Sequence, residues 1–307
     1  MRKYLSIAKN IILILFNKLR GKTYEFTLPT RKFLIDLQLI FIPFCGISKN
    51  KKEDVELIIT LTSYGRRVLT TVHYTLFTLL NQTKKPSRII LWLDNRNWNK
   101  NNLPFLVRCC IRKGVQIRFC EDLHSYKKLV PALMEFPESV LVTADDDLFY
   151  EKRWLEELYN AYKEEPRVIH CHRALKITFN EKGDINPYKN WNRESQVPSI
   201  ECSHLIFPTT GAGVLFPPHS LDDDAIDKNK FEYLSPFADD IWFWAMSVKN
   251  NTLKKRIKNY TGNLDYVDYM LMPENPETLA FHNLTNGQND IQIRSVLSHY
   301  HLIDYLR

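Results

Sequence analysis

Short apolar runs alternate with stretches of helical period along the first half of this chain. Val55–Leu61 (VELIITL) is a β-branched apolar run, the pattern of a strand buried on both faces. The polar loop Thr62–Arg67 follows, and Val68–Asn81 then carries apolar residues at 68, 69, 72, 76, 79 and 80, which predicts a helix. Pro86 ends the connection, and Arg88–Leu93 (RIILWL) predicts a second strand closing on Asp94. Leu103–Lys113 reads as a helix, Val115–Phe119 as a third strand and Ser125–Met134 as another helix. Val140–Ala144 (VLVTA) is a fourth strand and runs straight into Asp145-Asp146-Asp147. Strands that alternate with helices imply an open α/β fold with a mostly parallel central sheet flanked by helices. Ligands of such sheets bind at the carboxyl ends of the strands.

The flanks are less regular. Phe33–Ile47 is apolar and predicts one or two strands, and the charged stretch Ser48–Asp54 (SKNKKED) is the best domain boundary. It separates an N-terminal segment, 1–50, from a main domain, 51–307. Beyond the acidic triplet the pattern predicts a helix at Arg153–Lys163, a strand at Val168–His172, a long polar stretch to Ser203 and a helix over Asp239–Val248. At the start, Arg2, Lys3, Lys9, Lys18, Arg20 and Lys22 surround the apolar run Ile11–Phe16. Six apolar residues cannot span a bilayer, which needs about 20. A secretory signal would want a longer apolar region and a small-residue cleavage site. Two readings stay open for Met1–Lys22: a basic helix lying in a membrane interface, and a helix packed on the domain.

Composition narrows the picture. With 307 residues, 44% hydrophobic and 25% charged, the chain can bury a sizeable core without staples. Six cysteines at 45, 109, 110, 120, 171 and 202 include no CxxC pair, which fits a reduced, cytoplasmic protein, one that could sit peripherally on the inner membrane face. The net charge of +7 favours anionic partners. No dense basic stripe with interleaved aromatics points to nucleic acid.

The strongest chemical feature is the triplet at 145–147. Three adjacent carboxylates repel one another unless a cation or solvent relieves them. If the two-residue strand period persists, Asp145 and Asp147 share a face and can serve one ligand set. Hard oxygen donors suit Mg2+ or Mn2+, which keep waters and bind substrate phosphates as well. A solvated acidic turn is the plainer alternative, but the end of a central strand is where a ligand is expected.

Residues 55–150 resemble the donor-binding half of GT-A glycosyltransferases, particularly family-2-like bacterial enzymes. VELIITLTSY is similar to their first strand and nucleotide loop. TVHYTLFTLLNQTKKPSRIILWLD is similar to the following helix and second strand. VLVTADDDLFYEKRWLEEL is similar to their DxD strand and next helix. The resemblance implies a nucleotide-binding half at 55–150 and an acceptor half at 151–307. It implies that Thr62, Ser63 and Arg66 line the nucleotide pocket and that Asp94 contacts base or ribose. Lys128 would face the diphosphate, Asp145 and Asp146 would lie against the donor, and Asp147, with Asp145, would ligate the metal. Where the family often continues as Asp-Gly-Ser, this chain has Asp94-Asn95-Arg96. Arg66 and Arg67 also read as solvated loop charges.

The stretch Pro236–Trp244 (PFADDIWFW) is the second constellation. Asp239 is placed as a helix N-cap and Asp240 in the first turn, where the helix dipole favours a carboxylate. It resembles the acidic pair of inverting GT-A enzymes, which implies that Asp240 is the base that deprotonates the acceptor hydroxyl, with Asp239 beside it. Thr209–Val214 (TTGAGV) resembles the segment where Gly211, Ala212 and Gly213 let the backbone approach the donor sugar. His282 (LAFHN) could be a late metal ligand.

Together these imply a Mn2+- or Mg2+-dependent transfer of a hexosyl group from a UDP-linked donor. The acceptor would be a hydroxyl of a glycan or lipid-linked molecule in surface polysaccharide synthesis. A nucleotidyltransferase acting on sugar phosphates is the rival enzyme, although TLTSYGRRV supplies one glycine where a Gly-rich phosphate loop is usual. A carbohydrate-binding protein with a structural cation is the non-enzymatic rival.

Overall fold

The computed structural model describes residues 27–48, 55–193, 201–258, 265–272, 275, 281, 283 and 287–306. The basic segment Met1–Lys22, most of the charged stretch 48–54 and His282 lie outside them. No described helix is long and apolar enough to cross a membrane.

Four strands form the parallel half of the main sheet: β1 (Leu57–Thr62), β2 (Arg88–Asp94), β3 (Val115–Cys120) and β4 (Val140–Ala144). They lie in the order β3-β2-β1-β4. The register sets Leu57 against Val140 and Leu61 against Ala144, so the carboxyl ends of β1, β2 and β4 come together. The sheet continues past β4 through β9 (Val214–Phe216), β5 (Ile169–Cys171), β10 (Lys254–Arg256) and β7 (Cys202–Ser203), with β9 antiparallel to both β4 and β5. A separate two-stranded sheet pairs β6 (Ala174–Lys176) with β8 (Ile206–Pro208).

Strand alternation divides the core in two. Leu57, Ile59 and Leu61 with Val140, Val142 and Ala144 face one layer of helices. That layer comprises α1 (Leu28–Phe41), α3 (Val72–Leu80), α4 (Phe105–Ile111) and α6 (Trp154–Glu164), with the single turn α2 (Arg67–Thr70) before α3. Ile58, Trp92 and Leu141 face the opposite core, built on α5 (Val130–Glu135), α7 (Lys228–Leu234), α8 (Asp239–Lys249) and α9 (Gln288–Tyr300).

Three expectations change. The strands expected within 33–47 are instead the helix α1, whose Ile35 and Leu39 are buried in the first core. Ile35 and Leu39 are four apart, the spacing of a helical face, and Pro29 stands in the first turn, where its missing N–H costs nothing. The helix Leu28–Phe41 thus packs on the first core. The helix expected at 125–134 splits at Leu129 into a 3-10 turn (His124–Lys128) and α5. Pro131 supplies no N–H to a continuous helix and its ring would crowd the carbonyl four residues back. The helix expected at 68–81 is likewise broken, at Thr71.

Candidate functional site

Two threonines in apolar strands set up the site. Thr60 of β1 and Thr143 of β4 are register partners and face the same side of the sheet. Thr60 Oγ1 donates 2.6 Å to the Lys128 carbonyl and accepts from Trp92 Nε1 at 3.0 Å. Thr143 Oγ1 donates 3.0 Å to the Thr210 carbonyl. A buried hydroxyl must find a partner, and these two fix the backbones of Lys128 and Thr210.

Lys128 is almost fully buried. Its Nζ lies 2.8 Å from Asp145 Oδ1, 3.2 Å from Asp239 Oδ2 and 3.1 Å from Thr210 Oγ1. Burial alone would lower the ammonium's pKa, but the carboxylates of Asp145, Asp239 and Asp240 together hold it above the usual lysine range. Thr210 passes the connection on: its N–H and hydroxyl donate to Asp240 Oδ1 at 2.9 and 2.5 Å. Asp145, Lys128, Thr210, Asp239 and Asp240 thus form one connected cluster between the end of β4 and the start of α8. Asp239 is not the helix N-cap that the sequence pattern predicts. The cap is Ala238, and Asp239 is the first helical residue, its carboxylate turned to Lys128 and Thr210. A charge-assisted bond to a buried ammonium outcompetes a bond to a backbone N–H. Burial, and then the neighbouring charge of Asp239, push the Asp240 carboxyl up to about 6.

The rest of the triplet faces elsewhere. β4 ends at Ala144, so the strand period stops there and Asp145 and Asp147 do not form the shared pair expected of them. The adjacent Asp146 and Asp147 converge instead on Arg67, whose Nη1 lies 2.9 Å from Asp146 Oδ1 and 3.1 Å from Asp147 Oδ2. Ser63 Oγ donates to Asp146 Oδ2 at 2.5 Å. Asp147 has no such second partner among the described residues, and burial, with Asp146 and Asp145 nearby, pushes its carboxyl up to about 8. Its backbone is held by a returning segment: Val267 N–H donates 2.7 Å to the Asp147 carbonyl, and Leu148 pairs with Tyr266.

The small-residue loop packs against the triplet. A Cβ on Gly211 would lie 2.0 Å from Asp145 Oδ2, so only glycine lets that carboxylate stay where Lys128 binds it. Gly213 has φ +113° and a Cβ there would lie 2.4 Å from Trp154 Nε1, which donates to the Ala212 carbonyl. Tyr150 ties loop and strand end together: its hydroxyl donates to the Gly211 carbonyl at 2.5 Å and accepts from Asp145 N–H at 2.7 Å.

Other candidates stand apart. Thr62 Oγ1 donates to the Trp92 carbonyl within the sheet. Asp94 Oδ1 closes its own loop, accepting from the N–H and side-chain amide of Asn97. Arg66 is exposed, whereas Arg67, read from the sequence as a solvated loop charge, is the arginine that meets the acids. Thr60, Thr143, Tyr150 and Thr210 were not assigned roles from the sequence. Thr60 and Thr143 left a signal there, as lone polar residues in LIITL and VLVTA.

The donors at the triplet are hard carboxylate oxygens, and five carboxylates (145, 146, 147, 239 and 240) share two cations, Arg67 and Lys128. That balance fits a divalent cation. Among the described residues, no three His, Cys, Asp or Glu side chains form a ready-made cage. A cation here would draw one or two ligands from the chain and the rest from phosphate and water, as Mg2+ and Mn2+ commonly do.

No protein-family model matches the sequence, and no curated protein matches it. Among solved structures, the chain is similar to a CMP:2-keto-3-deoxy-manno-octonic acid synthetase complexed with CTP, at 10% identity and a TM-score of 0.41, over 66% of this chain and 89% of that one. It is also similar to a mannosyltransferase from Pyrobaculum calidifontis in complex with GDP-Man and Mn2+, at 12% identity and a TM-score of 0.42, over 84% of this chain and 68% of that one. Both are likenesses of chain path at low sequence identity.

Proposed function

We propose that this chain is a metal-dependent glycosyltransferase of the GT-A type. It would move a sugar from a nucleotide diphospho-sugar, UDP-linked in the favoured case, to a hydroxyl of a glycan or lipid-linked acceptor, with inversion at the anomeric carbon. The observation that carries this reading is the bridge from Asp145 through Lys128 and Thr210 to Asp240. It joins an acidic strand end at the ligand edge of a parallel sheet to a carboxylate suited to proton removal, the two components that the transfer requires.

Each residue then has a task. Asp147 would hold a Mn2+ or Mg2+ ion, whose chemistry is to neutralise charge on a departing diphosphate. Lys128 fixes Asp145 and Asp239 and keeps positive charge near the same place. Thr210 holds Asp240 Oδ1 with two donors, which leaves Oδ2 without a hydrogen bond among the described residues and available to an acceptor hydroxyl. With its carboxyl pushed up to about 6, Asp240 is ionised at neutral pH yet more basic than an exposed aspartate. Asp239, already paired with Lys128, is the poorer base of the two.

A screen of nucleotide sugars with Mn2+ or Mg2+, read as released nucleoside diphosphate, tests the proposal. Asp147→Ala should abolish metal-dependent turnover and leave the circular dichroism spectrum unchanged. Full wild-type activity in excess EDTA would refute the metal assignment, and release of pyrophosphate would identify a nucleotidyltransferase instead.

A further inference from the structure

Arg67 touches both acids with a single nitrogen. Nη1 bridges Asp146 Oδ1 and Asp147 Oδ2, while Nε and Nη2 make no hydrogen bond among the described residues. A guanidinium committed to a structural ion pair usually engages a carboxylate with two parallel N–H groups, and this one leaves most of its donor fork unused. The side chain keeps 21% of its surface exposed, and its Cζ lies 5.1 Å from the ring centre of Tyr64, itself an exposed residue. Arg67 also opens α2 directly after the loop Ser63–Arg66, in which Gly65 has φ +50°.

Its two partners are not equivalent. Asp146 is satisfied twice over, by Ser63 on Oδ2 and Arg67 on Oδ1. Asp147 has Arg67 alone, at the longer of the two distances. The weaker half of the bridge thus falls on the carboxylate that the proposed function gives to the metal.

We propose that Arg67 is a resident stand-in cation. It pairs with Asp146 and, more weakly, with Asp147 in the free protein, gives up Asp147 when a divalent cation takes that carboxylate, and turns its unused N–H groups to the diphosphate while Asp146 keeps hold of it. This rests on the glycosyltransferase reading for the identity of the anion but not for the competition at Asp147. The consequence is reciprocal coupling: the cation alone binds against Arg67, and a diphosphate that accepts the displaced guanidinium strengthens cation binding.

The test is calorimetric titration of the full chain with Mn2+ alone, then with Mn2+ in the presence of pyrophosphate, which carries no base or sugar. Arg67→Ala should bind Mn2+ alone about tenfold tighter than the wild type or more, within the usual range of coupling between sites. The strengthening of Mn2+ binding by pyrophosphate should shrink in the variant. Arg67→Lys, which keeps the charge without the fork, should keep weak Mn2+ binding and lose most of the pyrophosphate effect. If Arg67→Ala is less stable, Mn2+ should raise its melting temperature more than it raises that of the wild type. Unchanged or weaker Mn2+ binding by Arg67→Ala would overturn the proposal, as would Mn2+ binding that survives Asp147→Asn. Tighter binding by Arg67→Ala in a protein that turns over no nucleotide sugar would uphold the competition and refute the glycosyltransferase reading.

Discussion

The two acidic ends of the site are built on opposite plans. At the start of α8, Asp239 and Asp240 are closed in by Lys128 and by both donors of Thr210, on a helix whose buried face runs from Ile241 to Val248. At the end of β4, Asp146 and Asp147 lie in a bend after the strand has stopped and share one nitrogen of a partly exposed arginine. At the first end each acid has a fixed partner in Lys128 or Thr210, and Asp240 Oδ2 is left open beside them. At the second, Asp147 has one contact to a partly exposed arginine and an oxygen without a protein partner among the described residues. The contrast suggests a division of labour: one end holds a group in place for proton transfer, and the other is prepared for an incoming cation and anion.

The largest expected effect comes from breaking the first end. Asp240→Asn should retain nucleotide binding and lose transfer by about two to four orders of magnitude, the usual size of general-base catalysis. In the wild type, the reactive form is the ionised carboxylate, so kcat should fall as pH drops through about 6, the value to which burial pushes this group. Normal transfer by Asp240→Asn together with loss in Asp239→Asn would reverse the roles of the two acids.

Removing the link between the two ends should be nearly as severe. Lys128→Met leaves Asp145 and Asp239 without the ammonium that both of them contact. Taking one partner from a buried ion pair costs about 3–5 kcal/mol, which denaturant melts would read directly. A loss below about 1 kcal/mol would mean that solvent already screens this cluster.

The smallest effect should have the opposite sign. Burial and two neighbouring acids raise the Asp147 carboxyl to about 8, above its unfolded value near 4. Between those values the folded state binds the extra proton, so the metal-free protein should lose stability as pH rises from about 4 to about 8. Asp147→Asn should remove that loss and raise the melting temperature at pH 8 by about 2–5 °C, the scale of one to two kcal/mol in a chain of this size. A melting temperature that stays flat across that range in the wild type would show that Arg67 neutralises Asp147 fully, and the contrast between the two ends would disappear.

Much of this was written in local patterns. VELIITL, RIILWL and VLVTA are strands because β-branched apolar runs fit a sheet covered on both faces, and their order with the intervening helices dictated the parallel half of the sheet. The acidic triplet was legible at a strand end and the α8 helix was legible from Asp239 onward. The pattern over 33–47 points to strand because a short apolar stretch satisfies both periods, and only the packing of Ile35 and Leu39 on the helical layer makes it the helix α1. The pairing of charges was not legible at all. Which of Arg66 and Arg67 meets the acids depends on the direction taken by one helical turn, and Asp239 abandons its expected cap because Lys128, distant in sequence, arrives beside it. The strands, their alternation with helices and the acids at their ends follow from backbone preference and apolar period, which are local. Tertiary structure alone decided which cation each acid receives, because a buried charge takes whatever partner the packed chain brings within about 3 Å.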